Sequence, residues 1–322
     1  MADAPVYLAA DIGGTNARFA IARGSAETGF ELVHVRRCKL ADHAGPAEAL
    51  AAFLDSWDGP APTRACLAVA GPVGEGEVRL TNASWRFEPS ALKRAFGFET
   101  LAAVNDFAAQ ARGAPLCPPA EQRLIADGTA APGAPIAVLG PGTGLGLGLL
   151  VPHEGGVSVV ATEGGHAGFA PRTEGDMQIA RFIAAEHGFV SWEHVLSGPG
   201  LVLIHRALCA EDRLPDPDMP AEAITAQALA EPGSTARRTV LAFLAMLGAY
   251  AGDVAVMTGA RGGLYIAGGI VPKLAGLIDD SAFEARRVAR GAMSEYVRAI
   301  PVSLVLSDAA PLMGAAAIAE GA

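Results

Sequence analysis

Residues 139–151 read LGPGTGLGLGLLV, with glycine at 140, 142, 144, 146 and 148. A stretch so short of side chains makes poor core and a good cradle for an anion. Glycine reaches positive φ cheaply, so successive N–H groups of such a turn can converge on a phosphate, and Thr143 adds a hydroxyl. An earlier relative opens the chain: residues 8–16, LAADIGGTN, set a short apolar strand, Asp11, Gly13, Gly14 and Thr15 ahead of a second apolar run at 19–22. Two glycine- and threonine-bearing turns between strands imply a duplicated hairpin unit whose loops can face each other across a cleft. Neither turn is a Walker A loop, because GxxxxGK[ST] is absent. Residues 142–147, GTGLGL, also miss the third glycine of a dinucleotide fingerprint and run into a strand where that site needs a helix. Either loop alone suits a bare hairpin as well as a ligand. The two together, with Asp11 beside the first, favour a ligand.

The chain of 322 residues, 51% of them hydrophobic, is long enough for two domains, each with its own core. A net charge of −10 argues against nucleic-acid and anionic-membrane partners. The first ten residues carry no basic segment and only a brief apolar run, so a cytoplasmic chain is expected. The longest unbroken apolar window, residues 240–251, falls short of the ~20 residues that span a bilayer and reads as buried helix. Cys38, Cys66, Cys117 and Cys209 stand far apart, which predicts reduced thiols, no disulfide and no structural zinc.

Apolar runs at 6–10, 17–22, 30–35, 65–70 and 101–104 read as strands, and Leu50, Phe53, Leu54 and Trp57 recur at helical spacing between them. The first part of the chain is therefore an α/β unit. Gly71 and Pro72 signal a turn, and Thr81 and Asn82 fall in a loop. At 101–110, LAAVNDFAAQ, a strand ends in Asn105 and Asp106 before an alanine-rich helix start. Both polar side chains then project from the carboxyl edge of a sheet, where α/β proteins place chemistry, although Asp106 also fits a helix N-cap. Residues 113–135 carry five prolines and have the composition of a connection, with a small strand at 123–125. In TEGGHAGFAP, residues 162–171, Glu163 and His166 flank two glycines that let backbone pass close to a ligand. Residues 176–186 read as helix, SGPG at 197–200 as a tight turn before an amphipathic helix, 214–220 as a proline-rich loop and 235–258 as a long buried helix. Glu193 alone reads as a solvated helix-end charge. A strand at 264–267 runs into Gly268 and Gly269, and a strand at 302–306 precedes a closing helix with Pro311 in its first turn.

Six segments in this order, ADIGGTNARFA, VNDFAAQ, GPGTGLG, EGGHAGFAP, VLSGPGL and IAGGIVPK, resemble the proteobacterial-type glucokinases of the actin/hexokinase/Hsp70 superfamily over nearly the whole length. The resemblance implies two ribonuclease-H-like α/β domains of the actin-like ATPase kind with a central cleft for ATP and a hexose. The small domain is expected at residues 1–115 with the C-terminal helix 307–322, and the large one at 116–306. It implies ATP-dependent conversion of glucose to glucose 6-phosphate, with ATP and Mg²⁺ as cofactors and a homodimer as the assembly. Carried over position by position, Gly13, Gly14, Thr15, Gly142, Thr143 and Gly144 approach the ATP phosphates, Gly268 and Gly269 adjoin the adenosine, and Asp11 stands near magnesium through water. Asn105 and Asp106 match the family's sugar pair, with Asp106 as catalytic base, and Glu163, His166 and Glu193 match its other hydroxyl-binding residues. Gly168, where an acidic residue is expected, and Pro141 depart from some relatives without touching a hydroxyl contact.

Hydroxyl stereochemistry is not written in these residues, so a broader hexokinase or a fructose or mannose kinase is the nearest rival. A non-catalytic sugar sensor predicts a lost base and an added DNA-binding segment, against which Asp106 stands and the first strand leaves no room for a helix-turn-helix. An actin-like ATPase or chaperone would keep the phosphate loops without the sugar set.

Overall fold

The computed structural model describes residues 5–71, 73–74, 76–80, 83–215 and 218–322. Pro72, Thr81 and Asn82, read above as turn and loop, lie outside them. By contact, the chain divides into one unit of residues 1–122, 154–161 and 307–322 and another of residues 123–153 and 162–306.

The first unit is built on the hairpin of β1 (Val6–Ile12) and β2 (Asn16–Ser25). Around them lie β3 (Gly29–Lys39), α1 (Pro46–Leu54), β4 (Arg64–Val69) and a ribbon of β5 (Val78–Arg79) with β6 (Arg86–Phe87). They are followed by α2 (Pro89–Phe96), β7 (Thr100–Asn105) and α3 (Asp106–Gly113). The sheet order is β3-β2-β1-β4-β7, with β1, β4 and β7 parallel. Strand β1 is central because both its faces are apolar. Leu8, Ala10 and Ile12 join a core with Phe19, Leu50, Phe53 and Leu67. Tyr7 and Ala9, on the alternate face, meet Leu312, Met313 and Ala316 of the C-terminal helix, Ala310–Gly321. That helix packs backbone to backbone on α3: a Cβ at Gly113 would overlap the Ala310 carbonyl, and one at Gly314 the Ala109 carbonyl. Residues 114–122 stay with α3 through buried Cys117, whose Sγ donates to the Gly113 carbonyl and whose own carbonyl accepts from Gln122 Nε2.

The second unit begins within β8 (Gln122–Ala126) and holds β9 (Ile136–Pro141) and β10 (Leu145–His153), while β11 (Gly156–Thr162) is divided between the units. Helices α4 (Glu174–His187), α5 (Gly198–Glu211), α6 (Ala221–Ala230) and α7 (Thr235–Thr258) follow. The unit closes with β12 (Gly263–Ile266), α8 (Phe283–Val288), α9 (Ser294–Arg298) and β13 (Val302–Val305). The sheet order is β11-β10-β9-β12-β13-β8, in which β10 and β9 form an antiparallel hairpin and β12 and β13 run parallel to β9, as β4 and β7 run parallel to β1 beside its hairpin with β2 in the first unit. The duplicated hairpin is thus a duplicated α/β topology. Over its full 24 residues α7 has the length and hydropathy of a membrane span, which the window at 240–251 did not convey. Its side chains Val240, Phe243, Leu247 and Val254 lie instead in one core with Ile204 of α5, Ile224 of α6, Ile266 and Leu304.

Three local readings change. Trp57 lies beyond the end of α1. The SGPG segment is the start of α5 rather than a turn before it: Ser197 is the N-cap, its Oγ accepting from Gly200 N at 3.0 Å, with proline tolerated in the first turn. The proline-rich loop gives way to α6, an alanine-rich helix that the sequence reading passed over.

Candidate active site

In the first unit the turn after β1 is closed by Gly13 N donating to Asn16 O at 2.9 Å, and Thr15 O accepts from Leu40 N. Asp11, Gly13, Gly14, Thr15 and Asn16 line an open cavity of about 490 Å³ with Arg18, Arg37 and Asp308. Asp11 and Arg18 face each other across the hairpin, and Arg18 Nε and Nη2 both donate to Asp11 Oδ2, at 3.0 and 2.7 Å.

Strand β7 delivers Asn105 and Asp106 to the same unit. The N-cap is Asn105, not Asp106: its backbone is still extended, and its Oδ1 accepts from Phe107 N at 2.9 Å and Ala108 N at 3.3 Å. Its amide also donates to Gly71 O and interacts with the neighbouring Asp106 carboxylate. Asp106 is the first helical residue, with Oδ1 accepting from Phe107 N at 2.8 Å. Burial pushes its carboxyl above the ordinary aspartate value, the negative charge of Asp11 adds to the rise, and the Phe107 N–H opposes it. A carboxylate so raised is a better proton acceptor than a solvated one.

In the second unit Glu163, His166 and Glu193 come together. His166 Nε2 lies 3.9 Å from Glu163 Oε2 and its Nδ1 4.0 Å from Glu193 Oε1. The Glu163 side chain is 92% exposed and that of His166 61%, so both are open to a ligand. Glu193 is no solvated helix-end charge, because Oε2 accepts from Leu145 N at 2.8 Å while its own N–H donates to Gly165 O. The loops that carry the three are pinned further by Trp192 N to Ala167 O, Phe169 N to Val190 O and a Phe169–Trp192–Tyr250 row of aromatic contacts, the first edge-on and the second tilted, each with 4.9 Å between centroids. His194, buried enough to hold its imidazole below the usual value, accepts from Ser191 N and steadies the same turn.

Several of the glycines also answer to close packing. Gly13, Gly142 and Gly144 do not use the left-handed region. A Cβ at Gly144 would sit 2.5 Å from Glu193 Oε2, and Cβ atoms at Gly164 and Gly165 would strike Leu147 and Leu145 of β10. These residues are bare so that the chain can close on itself and leave Glu193 room. Gly268 alone of the set needs positive φ (+88°), and a Cβ there would lie 2.5 Å from Pro141 O.

Gly142, Thr143 and Gly269 open on a cavity of about 760 Å³ walled by Val202, Ala226, Leu229 and Ile270, with Lys273 and Glu222 also in its lining. An apolar slot with a few polar groups, reached by a glycine loop, suits a purine nucleoside. The first turn of α5 borders it, Gly198 N donating to Gly142 O, which sets a helix N-terminus beside the loop. Much of the wall is α6, whose sequence signal was the run AEAITAQALA of strong helix formers after Pro220.

Among the described residues no group of three His, Cys, Asp or Glu can hold a metal by itself. The lone Asp11, with one carboxylate oxygen outside the Arg18 fork, fits a magnesium ion held mainly by phosphate and water.

A glucokinase family model matches residues 8–322. The chain belongs to the glucokinase family. It is 41% identical to a glucokinase of Chromobacterium violaceum over 312 residues, covering 96% of this chain and 88% of that protein. A solved glucokinase structure from an Antarctic psychrotroph is 38% identical and superposes with a TM-score of 0.93 over 98% of this chain and 99% of that one. A ROK-family glucokinase from Streptomyces griseus, solved with glucose and AMPPNP, is 18% identical with a TM-score of 0.63 over 98% of this chain and 100% of that one, a likeness of fold alone. Within this glucokinase-family chain the resemblance-derived positions fall into two groups: Asp11, Gly13, Gly14, Thr15, Asn105 and Asp106 in the first unit, and the remainder in the second.

Proposed function

We propose that the chain transfers the γ-phosphoryl group of MgATP to the 6-hydroxyl of D-glucose, with Asp106 as the catalytic base. The observation that carries this reading is Asp106 itself, a half-buried carboxylate at the carboxyl edge of the parallel strands, raised above its ordinary value by burial even though the Phe107 N–H donates to Oδ1. A sugar hydroxyl is a weak nucleophile, and a positioned carboxylate takes its proton as the bond to phosphorus forms. In the first unit Asn105 brings an amide beside Asp106; in the second, His166 offers a ring nitrogen, and Glu163 and Glu193 carboxylate oxygens, groups of the kind that pair with sugar hydroxyls. A substrate lacking one of these hydroxyls leaves a polar group unpaired, which is the basis for discrimination.

The cavity bordered by Gly142, Thr143 and Gly269, with Gly268 the neighbouring residue along the chain, takes the adenosine, and the turns at Gly13, Gly14, Thr15 and at Gly142, Thr143, Gly144 take phosphates. Asp11 would hold Mg²⁺ through water; the ion's contribution is to offset phosphate charge during transfer. The two units are proposed as the small and large domains. On the family resemblance the proposal extends to a cytoplasmic homodimer feeding glycolysis, and sedimentation velocity tests the dimer.

The direct experiment is turnover of a panel of hexoses with ATP and Mg²⁺, wild type beside Asp106→Ala. Glucose turnover abolished by the substitution supports the reading, with the 2- and 4-epimers reporting how strict the sugar site is. Glucose binding without turnover of any hexose by folded wild type would make the protein a sensor.

A further inference from the structure

Arg18 has no role in the reading so far, yet it is the most heavily engaged side chain beside the first phosphate turn. It stands on β2 directly opposite Asp11 on β1, and its side chain is only 16% exposed. Two of its nitrogens, Nε and Nη2, converge on the single oxygen Oδ2 of Asp11, at 3.0 and 2.7 Å. The third, Nη1, lies 3.2 Å from Oδ2 of Asp308, just ahead of the C-terminal helix. A guanidinium fork shared in this way fixes its carboxylate in direction as well as in charge. Neither of Asp11's oxygens is held by a backbone cap, and Oδ1 has no hydrogen-bond donor among the described residues, in a cavity it shares with Gly13, Gly14 and Thr15.

We propose that Arg18 is a positioning residue for phosphoryl transfer: it holds Asp11 by Oδ2 so that Oδ1 is presented to the magnesium–nucleotide complex, and Asp308 holds Arg18 in turn. Two features separate this role from a plain structural ion pair. Arg–carboxylate pairs are frequently bidentate with one nitrogen on each oxygen, whereas here both nitrogens close on Oδ2 and Oδ1 is left without a donor among the described residues. Asp308 is 85% exposed, so its contact adds little stability in water, but it sets the angle of the guanidinium. Lysine at position 18 would keep the charge and lose the fork, because an ammonium is a point charge on a flexible stem.

The assignment rests on the kinase reading, and the test separates the two. Wild type, Arg18→Lys, Arg18→Met and Asp308→Asn are compared by calorimetric titration with the magnesium complex of a non-hydrolysable ATP analogue, by glucose binding through tryptophan fluorescence, by thermal melting and by steady-state kinetics. The expected result is analogue binding and ATP KM weakened ~10-fold or more in both Arg18 variants and about 3-fold in Asp308→Asn, with glucose affinity within about 2-fold of wild type. Arg18→Met leaves Asp11 unpaired and is the variant most at risk of misfolding; Arg18→Lys and Asp308→Asn keep the charge balance or a surface site and carry the test if it fails. Analogue affinity within 2-fold of wild type in Arg18→Lys and Asp308→Asn, whatever the melting temperature, overturns the proposal. Wild type that binds the analogue but phosphorylates no hexose sinks the kinase reading, and the comparison of analogue affinities still decides what Arg18 does.

Discussion

Gly144→Ala separates what the glycine loop does for phosphate from what it does for sugar. The new Cβ would lie 2.5 Å from Glu193 Oε2, and an ordinary contact of ~3.4 Å requires that oxygen to withdraw by roughly 0.9 Å. Backbone strain is no part of the effect, since Gly144 does not occupy the left-handed region. Glu193 is the far end of a flexible side chain and can retreat, so the fold loses little beyond the Leu145 N–H to Glu193 hydrogen bond, about 1.5–3 kcal/mol for a bond to a charged group. Its ligand geometry is lost, however, and displacing a substrate-positioning group by about 1 Å costs on the order of 10²-fold in rate. The expected outcome is kcat/KM for glucose down ~10- to 100-fold, ATP KM within about 2-fold and a folded protein by circular dichroism. A coupled assay with glucose and ATP varied in turn measures both. If ATP KM rises while glucose kinetics hold, Gly144 acts through the phosphate turn alone and the argument from Glu193 is wrong.

Asp106→Asn is expected to lower kcat by ~10²- to 10⁴-fold with glucose binding retained, and more than a tenth of wild-type turnover would refute its role as base. Because burial raises the folded pKa above the unfolded one, the folded state holds the extra proton, so wild-type stability falls as pH rises through that interval. Asp106→Asn should therefore melt higher than wild type at pH 7, the gap closing at acid pH where both forms are neutral; an unchanged gap contradicts the burial argument. Asp176, buried on α4 against Arg286 Nη2 at 2.5 Å, has its carboxyl held below the ordinary value by Arg286 and backbone donors that outweigh desolvation. Its stabilisation is complete above the unfolded pKa and is lost as pH falls through the folded one, and Asp176→Ala should cost ~3–5 kcal/mol in urea unfolding at pH 7. Ala226→Phe should fill part of the nucleoside cavity and raise ATP KM ~10-fold with glucose affinity unchanged; equal effects on both substrates would move the adenosine elsewhere.

Much of the fold was legible because it depends on local chemistry. The five strands of the first sheet, the 235–258 helix and both hairpins follow from apolar runs and turn residues, and each forms within a few residues of its expected place. Helix α6 was missed because Pro220 and the loop before it drew attention from a run of good helix formers. The N-cap moved from Asp106 to Asn105 because capping depends on which residue leaves the extended region first, a choice made by the register of β7 on β4. Glu193 was misread from its neighbours in sequence, since its partners Leu145 N and Gly165 O come from segments 48 and 28 positions away.

The sequence by itself determined the duplicated α/β plan, the ordered motifs and the residue types able to do acid–base and hydroxyl chemistry, since periodicity and composition are properties of neighbours along the chain. Only tertiary structure decided what each glycine is for. Whether bare backbone serves an anion, a positive φ or an approaching side chain depends on what packs against it. Close packing assigned Gly144 to Glu193, Gly164 and Gly165 to β10 and Gly314 to α3. The same physics separates Asp11 from Asp106: two aspartates at strand ends look alike in sequence, but one is held by an arginine fork and the other is raised by burial.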